Sequence, residues 1–273
     1  MSSFQAGMLT VAPDFALSYA EQGNALGPAV VLLHGYSDSW LSFRPLMELL
    51  PSSLRVIALS MRGHGDSSKP SEGYRIGSFA ADVIGAMDVL GITKASVVGH
   101  SMGSLVAERI AIDYPNRVSK LVLIGAFATV KDNAAVEALW CSHIAEMRDP
   151  VDPLFARAFQ QSTVTTSVAP DFLDSVVAES LKVPAHVWRS TLRSLLDDDH
   201  SHRLPEIAAP TRIIWGDQDP FADRFGQELL IRKIPGARLT IHAGIGHAPH
   251  WEDPRRIADE LAAFVKVPAR LVE

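Results

Sequence analysis

The amino-acid sequence predicts an α/β fold in which a mostly parallel, eight-stranded sheet is covered by helices on both faces. Short apolar runs of strand length recur, and the one at 28–33 is continuous without polar alternation, which is typical of parallel strands buried on both faces. Segments with a helical spacing of apolar residues separate these runs. One long stretch, 127–204, contains no convincing buried strand and interrupts the alternation.

The chain starts with a predicted hairpin, whose strands 5–11 and 15–21 flank a turn at Pro13 and Asp14. The buried strands that follow are predicted at 28–33, 55–59, 95–98, 118–124, 211–215 and 238–242. The helices that alternate with them are predicted at 40–50, 76–90, 105–113, 223–234 and 254–265. Gly91, directly after the predicted helix 76–90, favours termination of that helix.

The interrupting stretch is predicted to be helical and to lie over one end of the sheet. Its helices are predicted at 133–148, 153–161, 170–181 and 184–196, with prolines between them. Because the stretch leaves after one strand and returns before the next, it should cover the carboxyl ends of the strands, where open α/β sheets hold their sites. We therefore expect a core of residues 1–126 and 205–273 with a helical cap at 127–204.

The composition favours a globular protein over several other classes. The 273 residues, 47% of them hydrophobic and 21% charged, are enough for one large domain with an insertion. A net charge of −6 without any long Lys/Arg cluster argues against nucleic-acid binding. Cys141 has no partner for an internal disulfide, and neither a signal peptide nor a membrane-length apolar run is evident. We expect a soluble, cytoplasmic protein with no membrane partner, and its oligomeric state stays open.

Chemically useful residues follow several of the predicted strands. Ser101 lies in the turn Gly99-His100-Ser101-Met102-Gly103, between a strand and a helix, where glycines allow a close approach of the two. Asp219 and His247 follow two later strands. If these strands are parallel neighbours, the three side chains converge as nucleophile, acid and base, in that chain order.

The sequence resembles the α/β-hydrolase family along nearly its whole length. The motifs that carry the resemblance are His34-Gly35, Arg62-Gly63-His64-Gly65-Asp66-Ser67, Gly99-His100-Ser101-Met102-Gly103, Gly216-Asp217-Gln218-Asp219 and Gly246-His247. The resemblance implies a triad of Ser101, Asp219 and His247, with an oxyanion hole formed by the backbone N–H groups of Tyr36 and Met102. It implies no cofactor and no metal. Ser60 departs from the family, which often has an aspartate there.

The serine at the turn also narrows the expected reaction. Related dehalogenases and epoxide hydrolases have an aspartate at this position, whereas a serine forms an acyl intermediate. We expect hydrolysis of an ester-type bond, as in a carboxylic ester, thioester or lactone, in a small and largely apolar molecule. Three alternatives stay open: a carbon–carbon bond hydrolase, a cofactor-free perhydrolase, and a small-molecule receptor of the same fold.

Several residues compete for these roles. Asp217 and Asp223 share a loop with Asp219, Asp132 is another candidate acid, and His250 lies close to His247 in sequence. The segment 197–202, rich in Asp and His, is interpreted as a solvated loop and not as a metal site.

The substrate pocket is expected to be aromatic. Tyr36, Met102, Phe127 and Phe221 adjoin the site loops and are predicted to contact the substrate. The aromatic residues of the cap could line the same pocket or form the core of the cap. They are Trp140, Phe155, Phe159, Phe172 and Trp188. His34 and His100 are interpreted as structural neighbours of the site.

Overall fold

A computed structural model describes residues 4–266 and shows one eight-stranded sheet, as predicted. The strands are β1 (Gln5–Ala12), β2 (Phe15–Gly23), β3 (Ala29–Leu33), β4 (Arg55–Leu59), β5 (Ala95–His100), β6 (Val118–Ile124), β7 (Thr211–Gly216) and β8 (Arg238–His242). Their spatial order is β1-β2-β4-β3-β5-β6-β7-β8. β2 pairs antiparallel with β1 and β4, and all other neighbours are parallel.

The central strands are buried on both faces, which explains their continuous apolar sequences. Every residue of β5 is buried, whereas the edge strands β1 and β8 are largely exposed. Alternate residues of one strand belong to different hydrophobic cores: Val31 and Leu33 face one layer of helices, and Val30 and Leu32 face the other. The sheet is therefore the middle layer of a three-layer sandwich.

Ten α-helices are present within the described residues. They are α1 (Arg44–Met47), α2 (Ile76–Val89), α3 (Met102–Asp113), α4 (Ala134–Leu139), α5 (Pro153–Ser162), α6 (Pro170–Leu181), α7 (Ala185–Asp197), α8 (Arg224–Lys233), α9 (Pro249–Glu252) and α10 (Pro254–Lys266). α2, α3 and α8 bury their apolar sides in the first core, and α1 and α10 in the second. None of the helices in this part of the chain is long and apolar enough to cross a membrane.

Two predicted helices differ from those observed. The segment 40–50 forms a 3₁₀ helix (Trp40–Phe43) followed by the short α1, because Pro45 has no N–H with which to continue an i→i−4 ladder. The segment 133–148 forms α4 followed by a π-helical turn, Trp140–Ile144. The prediction missed α9 and the 3₁₀ helix Ser201–Glu206.

Helices α4 to α7, here called the inserted helices, lie between β6 and β7, and α6 contacts the loop after β8. In that contact Val176 of α6 packs with Ala248 and Trp251. α7 joins the first core through Trp188 and Leu192. The inserted helices are thus packed directly on the loops that follow the strands.

Candidate active site

Ser101 lies between β5 and α3 in a backbone conformation that residues other than glycine rarely adopt, with φ 52° and ψ −119°. The neighbouring glycines are required by close packing. A β-carbon on Gly99 would lie 2.1 Å from the Gly103 carbonyl oxygen, and one on Gly103 would lie 2.2 Å from that of Leu33. Strand and helix therefore approach to backbone contact, which holds Ser101 at the tip of the turn.

The Ser101 hydroxyl lies in a chain of hydrogen bonds with His247 and Asp219. Ser101 Oγ is 2.8 Å from His247 Nε2, and His247 Nδ1 is 2.7 Å from Asp219 Oδ2. Because the carboxylate can only accept, Nδ1 carries the proton and Nε2 is left to accept from the serine. The imidazole is only 4% exposed and the aspartate side chain is fully buried. This tautomer is the one that can remove a proton from Ser101.

Only one of the three aspartates in the loop after β7 reaches the histidine. Asp219 Oδ1 accepts from the backbone N–H groups of Phe221 and Ala222, at 2.8 and 2.9 Å, which fixes Oδ2 toward His247. Asp217 accepts from the Gly244 N–H at 2.7 Å, and Asp223 caps α8 through the Gly226 N–H. Asp217 and Asp223 therefore hold the loop and the helix in place.

The other two competitors also lie outside the contact chain. Asp132 is exposed, in the loop before α4. His250 is buried against Phe43 and His100, with both ring nitrogens unpaired. Neither residue takes part in the hydrogen bonds that join Ser101, His247 and Asp219.

The backbone N–H groups of Tyr36 and Met102 are free of protein acceptors within residues 4–266. Tyr36 follows β3, Met102 begins α3 just after β5, and β3 and β5 are neighbours in the sheet. Both residues line the same cavity as Ser101. Two unpaired donors, one of them at a helix N-terminus, are suited to bind a negatively charged oxygen.

A cavity above Ser101 is walled mainly by apolar side chains. Core loops contribute Tyr36, Met102, Phe127 and Phe221, as predicted from their positions beside the site loops. The inserted helices and the segment before them contribute Val130, Val136, Leu139, Phe159, Leu192 and Leu195. An apolar substrate of modest size fits such a wall.

The structure corrects the prediction that Trp140 and Trp188 line this cavity. Trp188 is 0% exposed and packs edge-on against the Tyr36 ring, 5.0 Å between centroids, while the Tyr36 hydroxyl donates to its backbone carbonyl. The Tyr36 ring, and not that of Trp188, therefore lines the cavity. Trp140 begins the π-helical turn, half-buried and near the Arg193 guanidinium.

The remaining aromatic residues of the inserted helices divide between the wall and the packing behind it. Phe159 lines the cavity. Phe155 stacks on Phe159, and Phe172 packs on Trp251 away from the wall. The direction in which each inserted helix faces decides which of these rings reaches the substrate space.

Two polar residues in the cavity wall were missed by the sequence analysis. Asp38 is 2% exposed, and its Oδ1 accepts a 2.9 Å hydrogen bond from Gln160 Nε2 of α5. Burial raises the pKa of Asp38 to about 7, although the bond from Gln160 and the charge on His247 oppose the shift. The position of Asp38, two residues after Tyr36 in a site loop, was the available signal, whereas nothing in the sequence marks Gln160.

Comparison with known proteins identifies the family. A family model described as the alpha/beta hydrolase fold matches residues 28–254. The chain belongs to this family. Its resemblance in sequence to the α/β hydrolases is thereby confirmed, together with the fold class.

Relatives of this α/β hydrolase include enzymes with different named activities. The chain is 30% identical over 250 residues to a 2-hydroxy-6-oxononadienedioate/2-hydroxy-6-oxononatrienedioate hydrolase of Paraburkholderia phymatum, covering 86% of each chain. It is 26% identical to 3-oxoadipate enol-lactonase 2 of Acinetobacter baylyi, covering 93% of this chain and 95% of that protein. An esterase from Exiguobacterium antarcticum shares the fold with a TM-score of 0.86 at 23% identity, over 96% and 100% of the two chains.

The other buried histidines of the hydrolase hold loops in place. His34 Nε2 accepts from the Met61 N–H at 2.9 Å, and His64 Nδ1–H donates to the Arg62 carbonyl. His100 Nε2–H donates to the His247 carbonyl at 3.0 Å. Burial lowers the pKa of all three and brings that of His64 to about 4, so these rings are neutral.

The segment 197–202 differs from its interpretation as a solvated loop, because His200 is buried. Its Nε2 lies 3.0 Å from Glu108 Oε2 of α3, and its Nδ1 lies 2.7 Å from Asp198 Oδ1. Burial lowers the pKa of His200, but the hydrogen bonds that its ring donates to both carboxylates outweigh this effect and raise the pKa to about 9. No group of three or more His, Cys, Asp or Glu within residues 4–266 has a metal-binding arrangement.

Proposed function

We propose that the protein is a serine hydrolase that cleaves an ester-type bond, in a carboxylic ester or a lactone, of a small and largely apolar molecule. The observation that carries this proposal is the chain of two hydrogen bonds from Ser101 through His247 to Asp219. The apolar wall of the cavity supports an apolar substrate. The esterase and lactonase among the similar proteins support the reaction class.

In the proposed first half-reaction, Ser101 Oγ attacks the carbonyl carbon while His247 Nε2 takes its proton. Asp219 keeps the proton on Nδ1 and stabilises the imidazolium that forms. The oxygen of the tetrahedral intermediate accepts hydrogen bonds from the N–H groups of Tyr36 and Met102, which hold it without reorganisation. His247 then protonates the leaving alcohol, and the acyl group stays on Ser101.

In the second half-reaction water replaces the alcohol. His247 takes a proton from water, the hydroxyl attacks the acyl carbon, and the proton passes to Ser101 Oγ as the acid leaves. Every step uses groups of the chain and water, so the proposal requires neither a cofactor nor a metal.

We further propose that residues 1–126 and 205–273 act as the hydrolase core and residues 127–204 as a cap. Tyr36 and Phe221 of the core would contact the substrate from below, and Phe127, where the cap begins, would contact it from the side of the strand ends. Residues of the cap, Phe159 and Leu192 among them, would close the cavity from above. The shape left between the two parts would then select the acyl and alcohol groups.

Carbon–carbon bond hydrolysis is the second candidate. The relative from Paraburkholderia phymatum, named for a dioate substrate, is 30% identical to this chain. The same serine, base and donors could serve a ketone in place of an ester. Turnover of that dioate at a higher kcat/KM than any ester would favour this candidate.

The ester hydrolase proposal is tested with 4-nitrophenyl esters of graded acyl length and with a fluorophosphonate that labels activated serines. We expect labelling at Ser101 and turnover of short to medium esters. Ser101→Ala should abolish labelling and lower kcat by roughly 10⁴-fold or more. Ser71→Ala, at an exposed serine, is the matched control and should change neither.

Two outcomes would contradict the proposal. Labelling that persists in Ser101→Ala would place the nucleophile elsewhere. Tight ester binding with negligible turnover would indicate a receptor instead of an enzyme.

A further inference from the structure

One corner of the cavity presents three hydrogen-bond acceptors, one of which is buried without a partner. His100 is the first of them: its Nε2–H donates to the His247 carbonyl, while its Nδ1 is buried without any partner. Since the proton lies on Nε2 and the ring is neutral, Nδ1 carries a lone pair. His100 lines the cavity, so this acceptor belongs to the wall.

Asp38 and Gln160 supply two more acceptors. Gln160 Nε2 donates to Asp38 Oδ1 at 2.9 Å and to Ser180 Oγ at 2.8 Å. Ser180 donates its own hydrogen to the Val176 carbonyl and must accept here, which fixes the orientation of the amide. The Asp38 carboxylate also accepts a hydrogen bond from the Gly35 backbone, and Gln160 Oε1 receives none of the side-chain bonds described for residues 4–266.

Two of these acceptors lie close to each other beside the Gly35 backbone, because residue 35 has no side chain. A β-carbon on Gly35 would lie 2.8 Å from His100 Nδ1 and 3.0 Å from Asp38 Oδ2. Both atoms therefore border the position that any side chain at residue 35 would fill. Gly35, Asp38, His100 and Gln160 all line the cavity that contains Ser101.

We propose that His100 Nδ1, Asp38 Oδ2 and Gln160 Oε1 form a subsite that binds a hydrogen-bond donor of the substrate, a hydroxyl or amino group. This inference deepens the proposed ester hydrolysis and rests on it. A buried acceptor without a partner, such as His100 Nδ1, is costly, and a donor on the substrate would satisfy it. The same corner opposes a substrate carboxylate, which brings more negative charge and no proton to share.

Such a site selects among substrates because an unsuitable ligand leaves its hydrogen-bond acceptors without a donor. A substrate without the donor would leave His100 Nδ1 buried and unpaired, so discrimination exceeds the strength of one ordinary hydrogen bond. The pKa of Asp38, raised to about 7 by burial, makes pH 8 a suitable assay condition, because the carboxylate is then mainly ionised.

The test compares esters that differ only in a donor, on either side of the scissile bond. On the acyl side, methyl 3-hydroxybutyrate is compared with methyl 3-methoxybutyrate. On the alcohol side, glyceryl monobutyrate is compared with 2,3-dimethoxypropyl butyrate. We expect the hydroxyl member of at least one pair to have a kcat/KM at least about tenfold higher at pH 8. Dimethylaminoethyl butyrate against 3,3-dimethylbutyl butyrate repeats the comparison for an ammonium donor, and monomethyl succinate should be a poor substrate.

The variant Asp38→Asn replaces Oδ2 by an amide N–H₂ while its oxygen can keep the bond from Gln160. It should reduce the preference for the hydroxyl ester to within about threefold of unity. Glu137→Gln makes the same change of charge on the exposed side of α4 and should leave the preference and the activity unchanged.

The possible outcomes separate this inference from the function on which it rests. Equal kcat/KM values within every pair of esters for the unmodified protein would overturn the subsite alone, independently of whether Asp38→Asn folds. A hydroxyl preference fully retained in folded Asp38→Asn would also overturn it. Failure to hydrolyse any ester, with Ser101 unlabelled, would overturn the proposed function and the subsite with it.

Discussion

The backbone at Ser101 is strained, and its neighbours hold it in place. A non-glycine residue at φ 52° and ψ −119° costs about 1–3 kcal/mol and persists only where the surroundings determine it. The Ser101 N–H donates to the Ile124 carbonyl, and its own carbonyl accepts from the N–H and the hydroxyl of Ser104. These bonds fix the peptide groups on both sides of the strained residue, so the hydroxyl keeps its direction toward His247.

At the same scale, Asp219→Asn tests how the histidine is oriented. An amide nitrogen at the position of Oδ2 would donate to Nδ1, which moves the imidazole proton to Nε2 and removes the acceptor for Ser101. We expect kcat for 4-nitrophenyl esters to fall by roughly 10⁴-fold. Asp223→Asn, in the same loop but capping α8, is the control and should keep kcat. Equal loss in both variants would contradict the role of Asp219.

The sequence could predict the contact chain of the site but not the whole wall. Ser101, Asp219 and His247 each follow a strand, and parallel order alone brings their loops to one edge of the sheet. The places of Trp188 and Asp38 relative to the cavity could not be predicted in this way. Whether Trp188 faces the cavity depends on the rotation of α7 against Tyr36, and Asp38 is fixed by Gln160, which is distant in sequence. Such side-chain contacts between inserted helices and loops leave no periodic pattern in the sequence.

Among the elements, α3 approaches β3 very closely at Gly103, and Gly103→Ala tests this contact. A β-carbon there would lie 2.2 Å from the Leu33 backbone oxygen, so α3 would have to move away from β3. We expect a loss of more than about 1 kcal/mol of stability, read from the urea midpoint, together with a fall in kcat as the Met102 N–H shifts.

Gly77→Ala is the control for Gly103→Ala, because its β-carbon meets nothing closer than 3.9 Å. It should stabilise α2 by about 0.5–1 kcal/mol. A Gly103→Ala protein as stable as its parent would contradict this.

Strands were easier to predict than inserted helices for a physical reason. A strand such as β6 is apolar from Leu121 to Ile124 because both of its faces are buried there, and the prediction for it matches the observed bounds. The helical segment at 133–148 has apolar residues on one side only, and the change from α4 to the π-helical turn at Trp140 depends on packing. Sequence periodicity does not carry that information.

Across the whole molecule, the inserted helices and the segment after α5 are hydrogen-bonded to the site loops that follow β3 and β8. The Tyr36 hydroxyl donates to α7, and Gln160 of α5 donates to Asp38. The carbonyl of Thr163, just after α5, accepts from the N–H of His247. A shift of these helices would therefore move the residues that we propose for the oxyanion hole and for the base. Substrate entry and alignment of the site are expected to be coupled for this reason.

The pair of His200 and Glu108 joins the end of the inserted segment to α3, the helix that follows Ser101, and it predicts a pH dependence of stability. Only a charged imidazole can donate to Glu108 and Asp198 at once, and these bonds raise the pKa of His200 to about 9. A pKa raised above its unfolded value of 6.5 stabilises the fold fully below that pH and loses its contribution as pH rises through about 9. We expect the urea midpoint to fall between pH 7 and pH 9.

Glu108→Gln should lower stability at pH 7 by about 3–5 kcal/mol and flatten this dependence, because the buried charge loses its partner. His202→Asn, at an exposed histidine two residues away, should change neither. A Glu108→Gln protein with the same pH slope as its parent would show that the pair does not carry the effect.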